Sequence, residues 1–387
     1  MAEAITTLFP NLTEDAPEGA QHNTGILPSQ AIHALIRERE IEAIEEIGLD
    51  QIQPASLDLR LGRIAYRVRA SFMPGAEATV TEKIEQFGMH EIDISNGAVL
   101  EKGCVYIVPL IENVRLTAKI TAFANPKSST GRLDVFTRLI TDGATAFDRV
   151  ERNYRGPLYI EIAPRTFSIV VRKGSRLNQL RLRRGSPVFG KVALQRLHEE
   201  VRLVDAEPGT ETIREKSLGL TIDLHGEPAT GLVGFKARKH TDVVDVDRRS
   251  FYDPLDFWEP IYERPGKGIV LDPDDFYILA TKEAVTVPPT HAAEMIAYDT
   301  LVGEFRVHYA GFFDPGFGWS ESGGGGSRAV LEVRSHEVPY MLEHEQIIGW
   351  LRYERLTGAP DKVYGPDIGS TYQGQGLKLG KQFKPLA

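Results

Sequence analysis

The chain is 387 residues long, 42% hydrophobic and 26% charged, with a net charge of −9; that length exceeds one ordinary core and predicts two domains, or at most three. The negative balance excludes a protein devoted to gripping long nucleic acid, which needs clustered Lys and Arg against phosphates, but it leaves room for a local basic pocket that takes a small anion. A single cysteine, Cys104, excludes a disulfide framework and a multi-thiolate metal cage and points to a reducing cytoplasm, and no apolar run approaches the ~20 residues of a membrane helix.

Residues 1–25 lack a basic start followed by an apolar stretch, so they read as a loosely ordered tail rather than a secretion signal. Pro28-Ser29 followed by Ile32, Leu35 and Ile36 predicts a capped amphipathic helix running to Ile44. Beyond it, short β-branched or alternating segments dominate, among them Cys104–Leu110, Leu158–Ile162, Phe167–Val171 and Ala329–Val333. Gly, Pro, Asn or Asp separate them, which is the pattern of a β sandwich or barrel. Lys127-Ser128-Ser129-Thr130-Gly131-Arg132 follows the turn Ala124-Asn125-Pro126 and gathers cations, hydroxyls and a glycine. Such a turn can cradle phosphate oxygens, although a solvated polar loop has the same composition. Glu161 ends the apolar run that starts at Leu158, as Glu332 ends Val330-Leu331-Glu332. A carboxylate among buried neighbours is suited to accept and return a proton near neutrality, whereas an edge-strand Glu would face solvent. In the basic stretch from Arg172 to Arg184, Leu180 and Leu182 alternate with Arg181 and Arg183, which predicts one buried and one solvated strand face. Aromatics interleaved for base stacking are missing there.

The second half repeats the first. Ala55–Gly62 is echoed by Leu220–Gly226, Gly97–Ile107 by Gly268–Ile278, and Phe147-Asp148 with the strand ending at Glu161 by Phe313-Asp314 with the strand ending at Glu332. Two copies of one β domain, 26–205 and 206–387, account for the conserved order, and the last segment from about 360 forms a C-terminal lid. Phe312-Phe313-Asp314-Pro315-Gly316 reads as a turn that aims the Asp314 carboxylate at a fixed place, for which a ribose hydroxyl is a natural partner; a plain Asp-Pro-Gly turn looks the same. The glycine-rich stretch 320–327 has no Lys-Ser/Thr after it and reads as a flexible hairpin tip.

Taken together, Lys127-Ser-Ser-Thr-Gly-Arg132, Asp314-Pro-Gly316, Val330-Leu-Glu332 and Tyr372-Gln-Gly-Gln375, with Tyr364 upstream and Ile52–Gly62 near the start, resemble the dCTP deaminase branch of the trimeric dUTPase superfamily. The resemblance covers nearly the whole chain and implies an all-β protein of two tandem dUTPase-like domains, each a β-clip or distorted jelly-roll barrel. Its implied activity is zinc-independent hydrolysis of dCTP to dUTP and ammonia. The two copies are not equally complete. The first has the Ser-Ser-x-x-Arg loop but lacks Pro-Gly after Asp148; the second has the hairpin and lid, but its counterpart loop, 297–303, lacks the Ser pair and the Arg. A composite site is therefore expected, within a chain or between chains.

Through the resemblance, Glu332 is the general base, with Glu161 its vestigial or structural counterpart, and Ser128 and Arg132 act on the water and the tetrahedral intermediate. The loop of Lys127, Ser129, Thr130 and Gly131 takes the phosphates, Asp314 and Tyr364 the sugar, and Val330, Tyr372 and Gln375 complete the pocket and lid. Mg2+ arrives with the triphosphate, and symmetric homo-oligomers and feedback by dTTP are family habits. Zinc deaminases instead need a Pro-Cys-x-x-Cys element, which one cysteine cannot supply. The lid departs from the family at Thr371, where Lys is usual, leaving Lys378 or Lys381 to substitute. The alternatives are a dUTP pyrophosphatase or bifunctional enzyme giving dUMP, and a nucleotide-binding regulator without turnover.

Overall fold

The computed structural model describes residues 22–386 except short segments at 188–189, 208, 210, 297–305, 309–310, 321–324, 336–337 and 366–371. The counterpart loop 297–303 and Thr371 therefore lie outside the described residues, as do residues 321–324 of the hairpin tip. The fold is mostly β, with five short helices among the described residues: α1 (Ser29–Arg37), α2 (Val80–Phe87), α3 (Ser128–Gly131), α4 (Lys191–Val201) and α5 (Pro254–Phe257). None is long and apolar enough to cross a membrane.

The first unit stacks two sheets. One runs Gly25–Ile26, Asn178–Arg184, Ile120–Pro126, Arg149–Val150; the other runs Gly88–Asp93, Ile64–Val68, Val105–Arg115, Arg155–Pro164, Val135–Thr141. The second unit repeats the plan with Ile213–Arg214, Ser217–Thr221, Ile347–Arg355, His291–Ile296, Phe312–Phe313 and with Trp258–Tyr262, Leu232–Ala237, Phe276–Val285, Ser327–Arg334, Arg306–His308. The copies agree in register. Glu161 stands opposite Ile107, and Glu332 opposite Ile278. The Tyr106 hydroxyl accepts from the Glu101 amide at 3.0 Å, and Tyr277 repeats the bond with Asp272 at 3.0 Å. The two units thus share a hydrogen bond at matched positions.

Several local expectations need correction. The first helix stops at Arg37, because Arg39 takes φ +57° and the chain turns into the strand Ile41–Ala43; Ile41 is apolar for that strand, not for a further helical turn. No side chain caps its start. Helix α2 carries a complete capping box, Thr79 with Glu82, that the strand-dominated reading passed over. Leu194, Leu203 and Val204 pack in the second core, so α4 belongs with the second unit and precedes the expected junction at 205. Residues 22–26 are tied down rather than loose: the His22 amide donates to Thr357 O at 2.8 Å and Gly25–Ile26 pairs with Asn178–Arg184.

The two units interlock. Val244–Asp245 of the second lies parallel to Ile169–Val171 of the first, and Arg172 grips Asp245 and Asp247 at 2.8 and 2.7 Å. Trp258, fully buried, meets Phe167 at 5.4 Å, and the tail residues Leu379 and Phe383 complete the same core. The charged strand face carrying Arg181 meets protein instead of water: that residue is 1% exposed and faces the second unit.

Candidate active site

Ala124-Asn125-Pro126 is not the expected turn but the end of the strand Ile120–Pro126, paired with Asn178–Leu180; Pro126, lacking an amide, stops the ladder, and Lys127, in an extended conformation, opens the single turn α3. Two bonds to Leu177 O hold this loop, from the Lys127 amide at 2.9 Å and from Thr130 Oγ1 at 2.7 Å. Thr130 and Gly131 are thus buried parts of the loop frame; the Ser128 carbonyl accepts from the Arg132 amide at 3.0 Å, while its hydroxyl makes no hydrogen bond to a described residue and Ser128 lines a cavity.

Arg132, 2% exposed, leaves the end of α3 and enters the second unit. Its Nη1 donates to Lys378 O at 2.8 Å, its Nη2 to Gln375 Oε1 at 3.2 Å, and the guanidinium stacks 3.8 Å from the Tyr372 ring centroid. Its Nε lies 4.0 Å from Glu332 Oε1, beyond hydrogen-bond reach, and has no acceptor among the described residues. Glu332 sits in the strand Ser327–Arg334; burial raises its carboxyl to about 8 against the opposing pull of Arg132.

These groups wall a chamber of about 60 Å³ with Asp314, Val330, Tyr364 and Tyr372. Space of that size suits water rather than a six-membered ring. The tail lies shut across it. Gly374 donates to Ser327 Oγ at 2.8 Å, Arg328 and Gln375 exchange bonds at 3.0 and 3.2 Å, and the Ser250 and Phe251 amides donate to Lys381 O and Gln382 O, each at 2.9 Å. Gly316, at φ +93°, is needed where it stands, because an added Cβ would lie 2.8 Å from Val363 Cβ and 3.0 Å from the backbone of Tyr364. Burial raises the Asp314 carboxyl, with Arg181 pulling the other way.

Adjoining the chamber, with Ser128, Asp314, Tyr364 and Tyr372 in both walls, is a groove of about 400 Å³. Lys127, Arg176, Arg249 and Lys381 line it, beside Ser129. Burial, with Lys127 and Arg249 nearby, lowers the Lys381 ammonium. Lys378 instead lies over Tyr372, its Nζ 5.7 Å from the ring centroid.

Glu161 stands apart from both cavities. Arg138 binds its Oε1 through Nε at 3.0 Å and Nη2 at 2.6 Å, and that guanidinium packs 3.7 Å from the Phe147 ring centroid. Asp148, counterpart of Asp314, spends its Oδ1 on the Leu139 amide at 2.7 Å. Glu161 and Asp148 thus lie outside both cavities, whereas Glu332 and Asp314 line the chamber. Arg176, Arg181, Arg249 and Phe312 went unassigned from sequence. Arg176 and Arg181 lay in a stretch read as solvated, and Arg249 lies in an irregular segment with no motif.

The family models of the 2′-deoxycytidine 5′-triphosphate deaminase N-terminal and C-terminal domains match residues 23–186 and 191–383. The crystal structure of 2′-deoxycytidine 5′-triphosphate deaminase from Agrobacterium tumefaciens is 56% identical, with a TM-score of 0.82 over 87% of this chain and 100% of that one. The chain belongs to this family. Within it, the two models meet between residues 186 and 191, at the start of α4. Curated relatives include "dCTP deaminase, dUMP-forming" of Halobacterium salinarum, 36% identical over 28% of this chain and 54% of its own length. Another is "dCTP deaminase" of Natronomonas pharaonis, 31% identical over 31% of this chain and 59% of its own length. The chain spans little more than half the length of these relatives.

Proposed function

We propose that this protein deaminates dCTP to dUTP and ammonia without zinc, on a fold of two dUTPase-like jelly-roll units. The observation that carries the reading is the buried Glu332 carboxyl, 4.0 Å from an uncommitted Arg132 Nε–H, in a chamber shared with Ser128 and joined to a cation-lined groove. Zinc independence rests on the donor set: there is one cysteine, and no His, Cys, Asp or Glu cluster suited to a metal among the described residues.

In this reading Glu332, ionised, takes a proton from a water also held by Ser128, and the hydroxide adds to C4 of cytosine. The proton passes to N3, and Arg132 stabilises the charge of the tetrahedral ring. Glu332 then takes the proton of the new C4 hydroxyl and passes it to the amine, so the C4=O bond forms as the C4–N bond breaks and ammonia leaves. Asp314 accepts from the sugar hydroxyl, backed by Tyr364, and Lys127, Arg176, Arg249 and Lys381 take the triphosphate, with Mg2+ carried in as part of the substrate. Lys381 fills the role that Thr371 cannot. Glu161 is a structural counterpart, held by Arg138. The reading extends to a cytoplasmic homo-oligomer and to dTTP competing at the same groove.

Because the base must be ionised, kcat/KM is expected to climb with pH and level off above an apparent pKa near 8, far above an ordinary carboxylate. A pH–rate profile checks this. A limb near 4.5 would remove Glu332 as the base.

The second reading, a dUMP-forming enzyme, is favoured by the names of several relatives. Ammonia and pyrophosphate measured together from dCTP decide between them. Ammonia without pyrophosphate supports dUTP as product, stoichiometric pyrophosphate supports dUMP, and neither product would leave only the binding protein.

A further inference from the structure

Arg181 belongs to the first unit, yet every hydrogen bond that its side chain makes to a described residue goes to the second. Its Nη1 donates to Ala293 O at 3.0 Å, and its Nη2 to Phe313 O at 3.3 Å and Asp314 Oδ1 at 3.2 Å. The guanidinium also lies 4.0 Å from the Phe312 ring centroid. Ala293 and Phe313 are register partners where Phe312–Phe313 joins His291–Ile296. The fork therefore spans that ladder and the carboxylate beyond its end. Phe312 and Asp314 line both chamber and groove, which Arg181 itself does not. Among the described residues Arg181 is the sole hydrogen-bond donor to the Asp314 carboxylate, and Oδ2 stays unbonded. A planar guanidinium fixes direction as well as charge, which a flexible ammonium does not.

We infer that Arg181 is a positioning residue for the nucleotide sugar: by clamping the Phe312–Asp314 segment from the opposite unit, it sets the direction in which Asp314 presents its free oxygen. This rests on the reading of Asp314 as the sugar ligand. In a deoxynucleoside triphosphate the 3′-hydroxyl is the only free sugar hydroxyl, so it is the group that Asp314 would accept. Polar recognition of this kind discriminates strongly against an analogue lacking the hydroxyl.

The test compares dCTP with 2′,3′-dideoxy-CTP, which lacks that hydroxyl, in the full chain and in Asp314→Asn, Arg181→Leu and Arg181→Lys. Arg181→Leu is expected to cut the dCTP preference in kcat/KM by about tenfold or more, mainly through KM for dCTP, with less than about threefold change for the dideoxy analogue. Arg181→Lys, which keeps the charge but loses the fork, is expected to fall between. If Asp314→Asn leaves the preference unchanged, the sugar reading itself fails. If Asp314→Asn lowers it while Arg181→Leu weakens both substrates alike, the sugar reading stands and the positioning role is overturned. An Arg181→Lys chain that does not fold also overturns it, by assigning the residue to domain assembly alone.

Discussion

Glu332→Gln is expected to lower dCTP turnover by about 10²–10⁴-fold while nucleotide affinity changes little, and Glu161→Gln to leave turnover intact. The contrast follows from environment. Glu161 is ion-paired to Arg138 at 2.6 Å outside both cavities, whereas Glu332 lines the chamber at 4.0 Å from its nearest cation. Steady-state kinetics with nucleotide binding by calorimetry checks both, and the reverse pattern would move the base to the first unit. The same variant reports on stability. The folded Glu332 value, about 8, lies above the unfolded one, so its contribution is fully present below about 4.5 and lost as pH rises through about 8. Gln carries no charge to bury. Thermal unfolding is therefore expected to find Glu332→Gln more stable than the parent at pH 8.5, by on the order of 1 kcal/mol or more, with the gap closing towards pH 5.

Arg132→Ala is expected to lower kcat by about 10²–10³-fold and to raise KM as well. One guanidinium serves two tasks: Nε is aimed at the Glu332 side of the chamber, while Nη1, Nη2 and the stacked face hold Lys378, Gln375 and Tyr372 of the tail. Arg132→Lys should rescue little, because an ammonium cannot make two divergent bonds and stack at once. Hydrogen exchange supplies the second readout, with faster exchange at the Gly374 and Lys381 amides in Arg132→Ala. Unchanged exchange with lost turnover would separate the latch from the chemistry.

The parts legible in sequence were those where backbone conformation demands particular residues. Pro126 before the loop, Gly316 in the hairpin and the repeated Glu at Glu161 and Glu332 each leave a local mark. The contribution of Arg181 leaves none. Alternation of Leu180 and Leu182 with Arg181 separates two strand faces but cannot say whether water or another sheet covers the charged one. Arg249 reaches the groove from an irregular segment, and its place depends on pairing between residues 250–252 and the tail, a contact remote in sequence. The overextended first helix has a different cause. Ile41 continues the apolar spacing, and only the left-handed conformation at Arg39 separates helix from strand.

Arg132 and Glu332 meet inside one polypeptide, although they lie in different copies of the repeat. Dilution cannot part them, so specific activity need not fall as the protein becomes scarce. Each copy is also released from maintaining a full set of functional groups. In the first unit the matching position serves cohesion instead, with Arg138 tying down Glu161.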